Sequence, residues 1–229
     1  MTSLFQNSLF YDLLFQEQKT SQEPLIIMGG SAGSRFQSND ILLEKPIVVF
    51  DFETTGLDPK TSRMIEVGAI KYQNKKEIGR LTSLIHPQVL LSQEITKITG
   101  ITDKMLKNAP PAKQIIPELH EFMIGCVGVA HNAEFDIGFL FYESLRLGIH
   151  IDYTIFCTLK MARQLLKIER RNLDALAKHF GLEFESRHRS IGDIQVTAGV
   201  FWKLLENNPH LKTIKDMAPY LEGMLNSRG

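Results

Sequence analysis

The sequence is short of several things, and each shortage closes off a class of protein. It has two cysteines in 229 residues, Cys126 and Cys157, both in apolar settings (GCVGVA and IFCTL). No C-x-x-C pair exists, so neither a zinc ribbon nor a thioredoxin-type redox motif is on offer. Small buried thiols in a reducing cytoplasm are the reading that fits. Net charge is also missing, with Lys+Arg and Asp+Glu at 26 each. A protein that coats duplex DNA through its phosphates carries a basic excess, which argues against a tight, processive clamp acting alone. An enzyme gripping a few nucleotides through metals and stacking stays open. No apolar run approaches the roughly 20 residues that cross a bilayer. The opening MTSLFQNSLFYDLLFQEQ lacks a basic n-region and a small-residue cleavage site. The expectation is a soluble, cytoplasmic protein with no membrane partner.

What is there is ordinary in amount: 43% hydrophobic and 23% charged residues, enough for one α/β domain with a sizeable core. Residues 1–44 read as an extension. Phe5, Leu9 and Leu13 share a helical stripe with Phe10 and Leu14 beside it, and Gly29-Gly30-Ser31-Ala32-Gly33-Ser34 has linker composition. The stripe either packs on its own domain, pairs with a copy in a dimer, or docks on a partner. The main domain spans 45–207, and 208–229 is a C-terminal helical segment.

Within the main domain, IVVFDFE from Ile47 is apolar on both faces, as a central buried strand should be. MIEVGAIKY and EIGRLTSLI, joined through QNKK, read as a hairpin, VGVA at 127–130 as a short strand, and 150–156 as another. Helices are expected at 93–99, 112–124, 133–147, 158–167, 173–180 (Asn172 as cap, Gly181 as stop), 190–206 and 211–226. Pro117 should kink the second or start it late. Three consecutive strands followed by helix-strand alternation indicate a mixed sheet with helices on its faces.

Acidic residues stand where they should not. Residues two apart on a strand share a face, so Asp51 and Glu53 project together from the end of the most buried strand. Two carboxylates in a poorly solvated place resist ionisation unless a cation compensates, and hard oxygen donors select Mg²⁺ or Mn²⁺. The turn chemistry of TTGLDP explains Gly56 and Asp58 but not the paired acids. Asp136 falls in the first turn of a helix with Asn132 as its natural cap. There it either complements the helix dipole or belongs to a site at a strand-to-helix junction. Ser190 and Asp193 have the S-x-x-D spacing of a capping box, and His188 just before them is either a bland surface histidine or a general base.

Taken in order, DFETTG at 51–56, HNAEFD at 131–136 and HRSIGD at 188–193 resemble the three motifs of the DEDDh 3′–5′ exonucleases, the family that includes the proofreading epsilon subunit of bacterial DNA polymerase III. ITKITGITDKML at 95–106 resembles the region between the first two motifs. All three motifs occur together and in order, which makes the likeness specific. It implies a ribonuclease H-like α/β fold, a five-stranded mixed β-sheet flanked by α-helices, with 45–207 as the exonuclease domain. It implies Asp51, Glu53, Asp136 and Asp193 as ligands of two Mg²⁺ or Mn²⁺ ions, and His188 as the base. Thr54, Thr55 and Leu57 would cradle the terminal nucleotide, and His131, Asn132 and Phe135 would lie near substrate, although Phe135 could equally be core. The implied substrate is the 3′ end of single-stranded or mismatched DNA in proofreading or repair. Trimming of RNA 3′ ends and a non-catalytic module of a polymerase complex are the alternatives. A polymerase or clamp is the implied partner of the N-terminal stripe. Two departures stand out: Gly192, expected to loosen the helix start, and Cys157, where relatives often carry an acid.

Overall fold

A computed structural model describes residues 36–149, 151 and 153–222. The expected amphipathic stripe and linker lie outside them. Strand β1 (Ile47–Thr54) is buried through its apolar first half and lies mid-sheet. β2 (Met64–Gln73) runs antiparallel beside it, and β3 (Lys76–Leu84) pairs antiparallel with β2. Asn74 and Lys75, both at positive φ (50° and 63°), make the two-residue hairpin turn, whose twist matches the flanking strands. On the other side of β1 lie β4 (Val127–Ala130) and β5 (Ile155–Cys157), parallel to β1 and to each other in direction, in the order β3-β2-β1-β4-β5. The expected five-stranded mixed sheet is present.

The helices are α1 (Gln93–Thr99), α2 (Asp103–Leu106), α3 (Ala112–Met123), α4 (Ala133–Arg146), α5 (Thr158–Leu165), α6 (Leu173–Phe180) and α7 (Ser190–Glu206). Alternation along β1 splits the core in two. Ile47 and Val49 pack with Met161, Leu176, Phe201 and Leu204 of α5–α7, whereas Val48, Phe50 and Phe52 pack with Ile116, Leu119, Phe139 and Leu140 of α3 and α4. The same period carries Asp51 and Glu53 onto the α7 face. That assignment positions the site.

The structure departs from the expectations at three places. α3 starts at Ala112 and runs through Pro117. The proline is on the exposed side, where water can satisfy the carbonyl it leaves without a donor. The short α2 was not expected. Residues 211–222 form turns and a 3₁₀ turn at Ala218–Tyr220 in place of an α-helix. There Asp216 Oδ2 accepts the N–H groups of Lys212 and Thr213 and the Thr213 hydroxyl. Such local bonds compete with helix. The segment then runs along β5, with Glu222 N–H donating to Ile155 O at 2.8 Å, and covers an edge that would otherwise be open.

Candidate active site

β1 delivers two acids and α7 a third. Gly68 of β2 stands opposite Asp51. A Cβ there would come within 2.6 Å of Ser190 Oγ and Ile194 Cδ1. The bare glycine lets the first turn of α7 lie on the sheet and brings Asp193 to β1. One carboxylate oxygen from each of Asp51, Glu53 and Asp193 lies within 4.8 Å of the other two. A register shift between Glu53 and Thr54 bends the strand just past the acids, as bulges beside active sites do.

Asp136, 2% exposed, comes from the opposite face. The β1–β4 ladder ends at Val49↔Val129, and Asp136 Oδ1 takes the Phe52 N–H at 3.2 Å. Its charge still reaches the cluster. Asp51 is raised well above the ordinary carboxylate range by burial and then by Asp136, Asp193 and Glu53. Burial likewise raises Asp136, with the Phe52 N–H pulling the other way. Glu53 is pushed up to about 8 by burial, Asp193 and Glu66. Asp193 rises to about 6 through burial, restrained by Arg187.

Four acids that resist ionisation are costly unless a cation joins them. Arg187 is a partial remedy: its Nη1 lies 2.5 Å from Asp193 Oδ2, while Nε and Nη2 grip Asp174. The other oxygen, Asp193 Oδ1, is buried with no hydrogen-bond partner. A pure oxygen donor set with an orphaned lone pair fits a hard divalent ion. Among the described residues, Asp51, Glu53 and Asp193 form such a group.

Asp136 does lie in the first turn of α4, where it also complements the helix dipole, but the cap roles expected of Asn132 and Ser190 are not filled. Asn132 has left-handed backbone (φ 57°, ψ 47°) and makes no side-chain cap bond, since capping needs extended backbone. Ser190 lies inside α7, not ahead of it: Arg189 takes the cap position without a side-chain bond. The Ser190 N–H donates instead to Glu66 Oε2 at 2.9 Å. Gly192 has a packing reason. A Cβ there would meet Ser186 O at 1.8 Å, so the glycine admits the preceding loop.

His188 sits half-buried at φ 57° with Nδ1 3.3 Å from Arg187 Nη1. Burial, then Arg187, hold its pKa below the ordinary value, which keeps the ring neutral at pH 7. His131, lowered to about 3 chiefly by burial, sets Nδ1 2.9 Å from Thr158 Oγ1. Thr54 Oγ1 donates to Gly56 O at 2.6 Å, and Thr55 Oγ1 accepts the Arg63 N–H at 3.0 Å. These bonds shape the loop that carries Leu57. Phe135 is partly buried, its ring 4.9 Å from that of Phe139. Cys157 is buried and accepts the Ala133 N–H, an inert position. Sequence reasoning missed Arg187 and the Glu66–Arg189 pair. Their one signal was the pair of arginines flanking His188.

Residues 48–201 match the RNase T model, described as Exonuclease. The chain belongs to this exonuclease family. It is a nuclease, a hydrolase of phosphodiester bonds, and the expected likeness to the DEDDh enzymes holds. It is 40% identical over 165 residues to the PolC-type DNA polymerase III of Caldanaerobacter subterraneus subsp. tengcongensis, covering 72% of this chain and 12% of that one. Against the PolC-type DNA polymerase III of Thermotoga petrophila it is 38% identical over 160 residues, 69% and 12% of the two chains. The exonuclease thus spans about an eighth of those polymerases. Two solved structures share its fold. Exonuclease X in complex with 5′ overhanging duplex DNA has a TM-score of 0.63 at 24% identity, with 75% and 97% of the chains covered. The zinc-bound E. coli exonuclease I–single-stranded DNA complex has 0.65 at 19%, with 73% and 42% covered. The ribonuclease H-like architecture is therefore present. No helix among the described residues is long and apolar enough to cross a membrane.

Proposed function

We propose that this exonuclease removes nucleotides one at a time from the 3′ end of single-stranded or mismatched DNA. Asp51, Glu53, Asp136 and Asp193 would hold two divalent ions, Mg²⁺ or Mn²⁺. The observation that carries the reading is the orphaned Asp193 Oδ1 beside the Asp51–Glu53 pair. When bound, the ions would supply the charge that acidifies a water and offsets charge on the leaving 3′ oxygen.

The chain's own residues do the rest. His188, kept neutral by its surroundings, accepts the proton of the attacking water. Asp136 fixes the end of β1 through the Phe52 N–H and so holds Asp51 and Glu53 in place. The loop carrying Thr54, Thr55 and Leu57 receives the terminal nucleotide, and His131, Asn132 and Phe135 border it. Bases are met by stacking, with little sequence preference. The DNA polymerases among the relatives support DNA over RNA and a polymerase as working partner.

A time course on 5′-labelled DNA, single-stranded or with a 3′ mismatch, tests this, with RNA as the parallel arm. The expected result is a ladder shortening from the 3′ end, releasing 5′-mononucleotides, dependent on Mg²⁺ and faster on DNA. Shortening from the 5′ end, or degradation unaffected by chelator, would overturn it. A pull-down with and without residues 1–40 tests the partner, and identical partner lists would remove the N-terminal stripe from the account.

A further inference from the structure

Glu143 is a buried acid that the reaction does not use. It lies on α4 with 1% of its surface exposed. Arg63 Nε donates to its Oε1 at 2.7 Å and Arg63 Nη2 to its Oε2 at 3.0 Å, with the Met64 N–H at 3.4 Å and Arg146 Nη1 at 3.3 Å. Both arginines act on one loop. Arg63 closes its base, since Arg63 N–H donates to Thr55 Oγ1 and Thr55 N–H donates to Arg63 O at 2.9 Å. Arg146 Nη2 reaches the tip, donating to Pro59 O at 3.1 Å and Lys60 O at 2.7 Å. Pro59 also lies against Gly138 of the same helix, where a Cβ would come within 3.2 Å of the proline ring. A single carboxylate thus ties down the base and the tip of the 55–63 loop.

Glu143 follows Asp136 by seven residues, two helical turns and about 10 Å along the same face. One turn pair of α4 therefore spans from the acids to the loop. We infer that Glu143 is a positioning residue. Through Arg63 and Arg146 it sets the height of the loop over the acid cluster, and so sets how the enzyme recognises a free 3′ end. This rests on the proposed reading of the loop as the terminal-nucleotide cradle.

Arg146→Ala tests it gently, because Arg63 stays to pair the buried acid; Arg146→Lys and Glu143→Gln complete the set. KM and kcat are measured on a single-stranded oligonucleotide ending in a 3′-hydroxyl, then on one ending in a 3′-phosphate. The expected result for Arg146→Ala is a KM raised roughly fivefold or more with kcat within about twofold, the pattern of lost binding common to ground and transition states. Preference for the hydroxyl end should fall in parallel, and Arg146→Lys should recover part of both. Unchanged KM and end preference in Arg146→Ala, or in Glu143→Gln, would overturn the inference, as would an equal fall of kcat and kcat/KM. Wild-type enzyme that leaves 3′ ends intact would sink the underlying reading, and that is seen before any variant is made.

Discussion

Two kinds of carboxylate lie on the same few elements, and they are solved differently. Glu66 of β2 is opposite Glu53 across the sheet. It receives Arg189 through both oxygens and the Ser190 N–H as well. Glu143 is likewise met on both oxygens. Each is a finished ion pair whose lone pairs are spoken for. Asp51, Glu53 and Asp193 are unfinished: they crowd one another, Arg187 bonds only Asp193 Oδ2 of the three, and Asp193 Oδ1 is left without a partner. Finished acids hold elements together, and the unfinished ones are the proposed cation site.

Substitution should separate the two kinds, most strongly at the cluster. Asp193→Asn or Asp51→Asn should lower the hydrolysis rate by on the order of 10³-fold or more, as removal of a catalytic electrostatic group does. The metal-free melting temperature should hold or rise, because a repelling charge has gone. A fall in stability with activity kept would reverse the comparison. Next, His188→Ala should cost on the order of 10²-fold, and the acid limb of the wild-type pH profile should lie below about 6.5, the free histidine value, since its pKa is lowered. An unchanged rate in the variant removes the base.

Smaller effects probe the finished side. Arg189→Ala leaves Glu66 short of its main partner and should cost about 1–3 kcal/mol in a denaturant titration. The lower end applies because the Arg189 side chain is 38% exposed and water can stand in for it. Its rate should fall far less than that of Asp193→Asn. Smallest is a pH trend. The folded state holds protons on Glu53 up to about 8 and on Asp193 up to about 6 that the unfolded chain gives up near 4. With raised folded pKa values, the contribution of these two acids to stability in chelator is fullest at low pH and is lost as pH rises through this window. Added Mn²⁺ should raise the melting temperature more at pH 8 than at pH 6, since protons compete with the ion. A flat or opposite trend would mean the acids are not crowded as described.

How much of this could be read from the chain alone follows from the range of the forces involved. β1 and the acids on it were legible because burial of IVVFDFET and a period of two are local facts. The order of the three motifs carried Asp136 and Asp193 to the same end of the sheet. What stayed hidden depends on contacts between distant residues: Glu66 meets Arg189 across 123 positions and Arg63 meets Glu143 across 80. No local pattern distinguishes those glutamates from Glu53. Asn132 misled because asparagine suits both a helix cap and left-handed backbone, and here it takes the second. The 211–222 segment has helix-like spacing, yet Asp216 and the edge of β5 claim its backbone instead.

The crowded oxygens of Asp51, Glu53 and Asp193, one of them orphaned, are proposed as a divalent-cation site. Crystals soaked in Mn²⁺ and read by anomalous diffraction test it most directly. The expected result is a peak bounded by Asp51, Glu53 and Asp193, absent in Asp193→Asn. Manganese bound elsewhere with that cluster empty, or a peak untouched by the substitution, would contradict it.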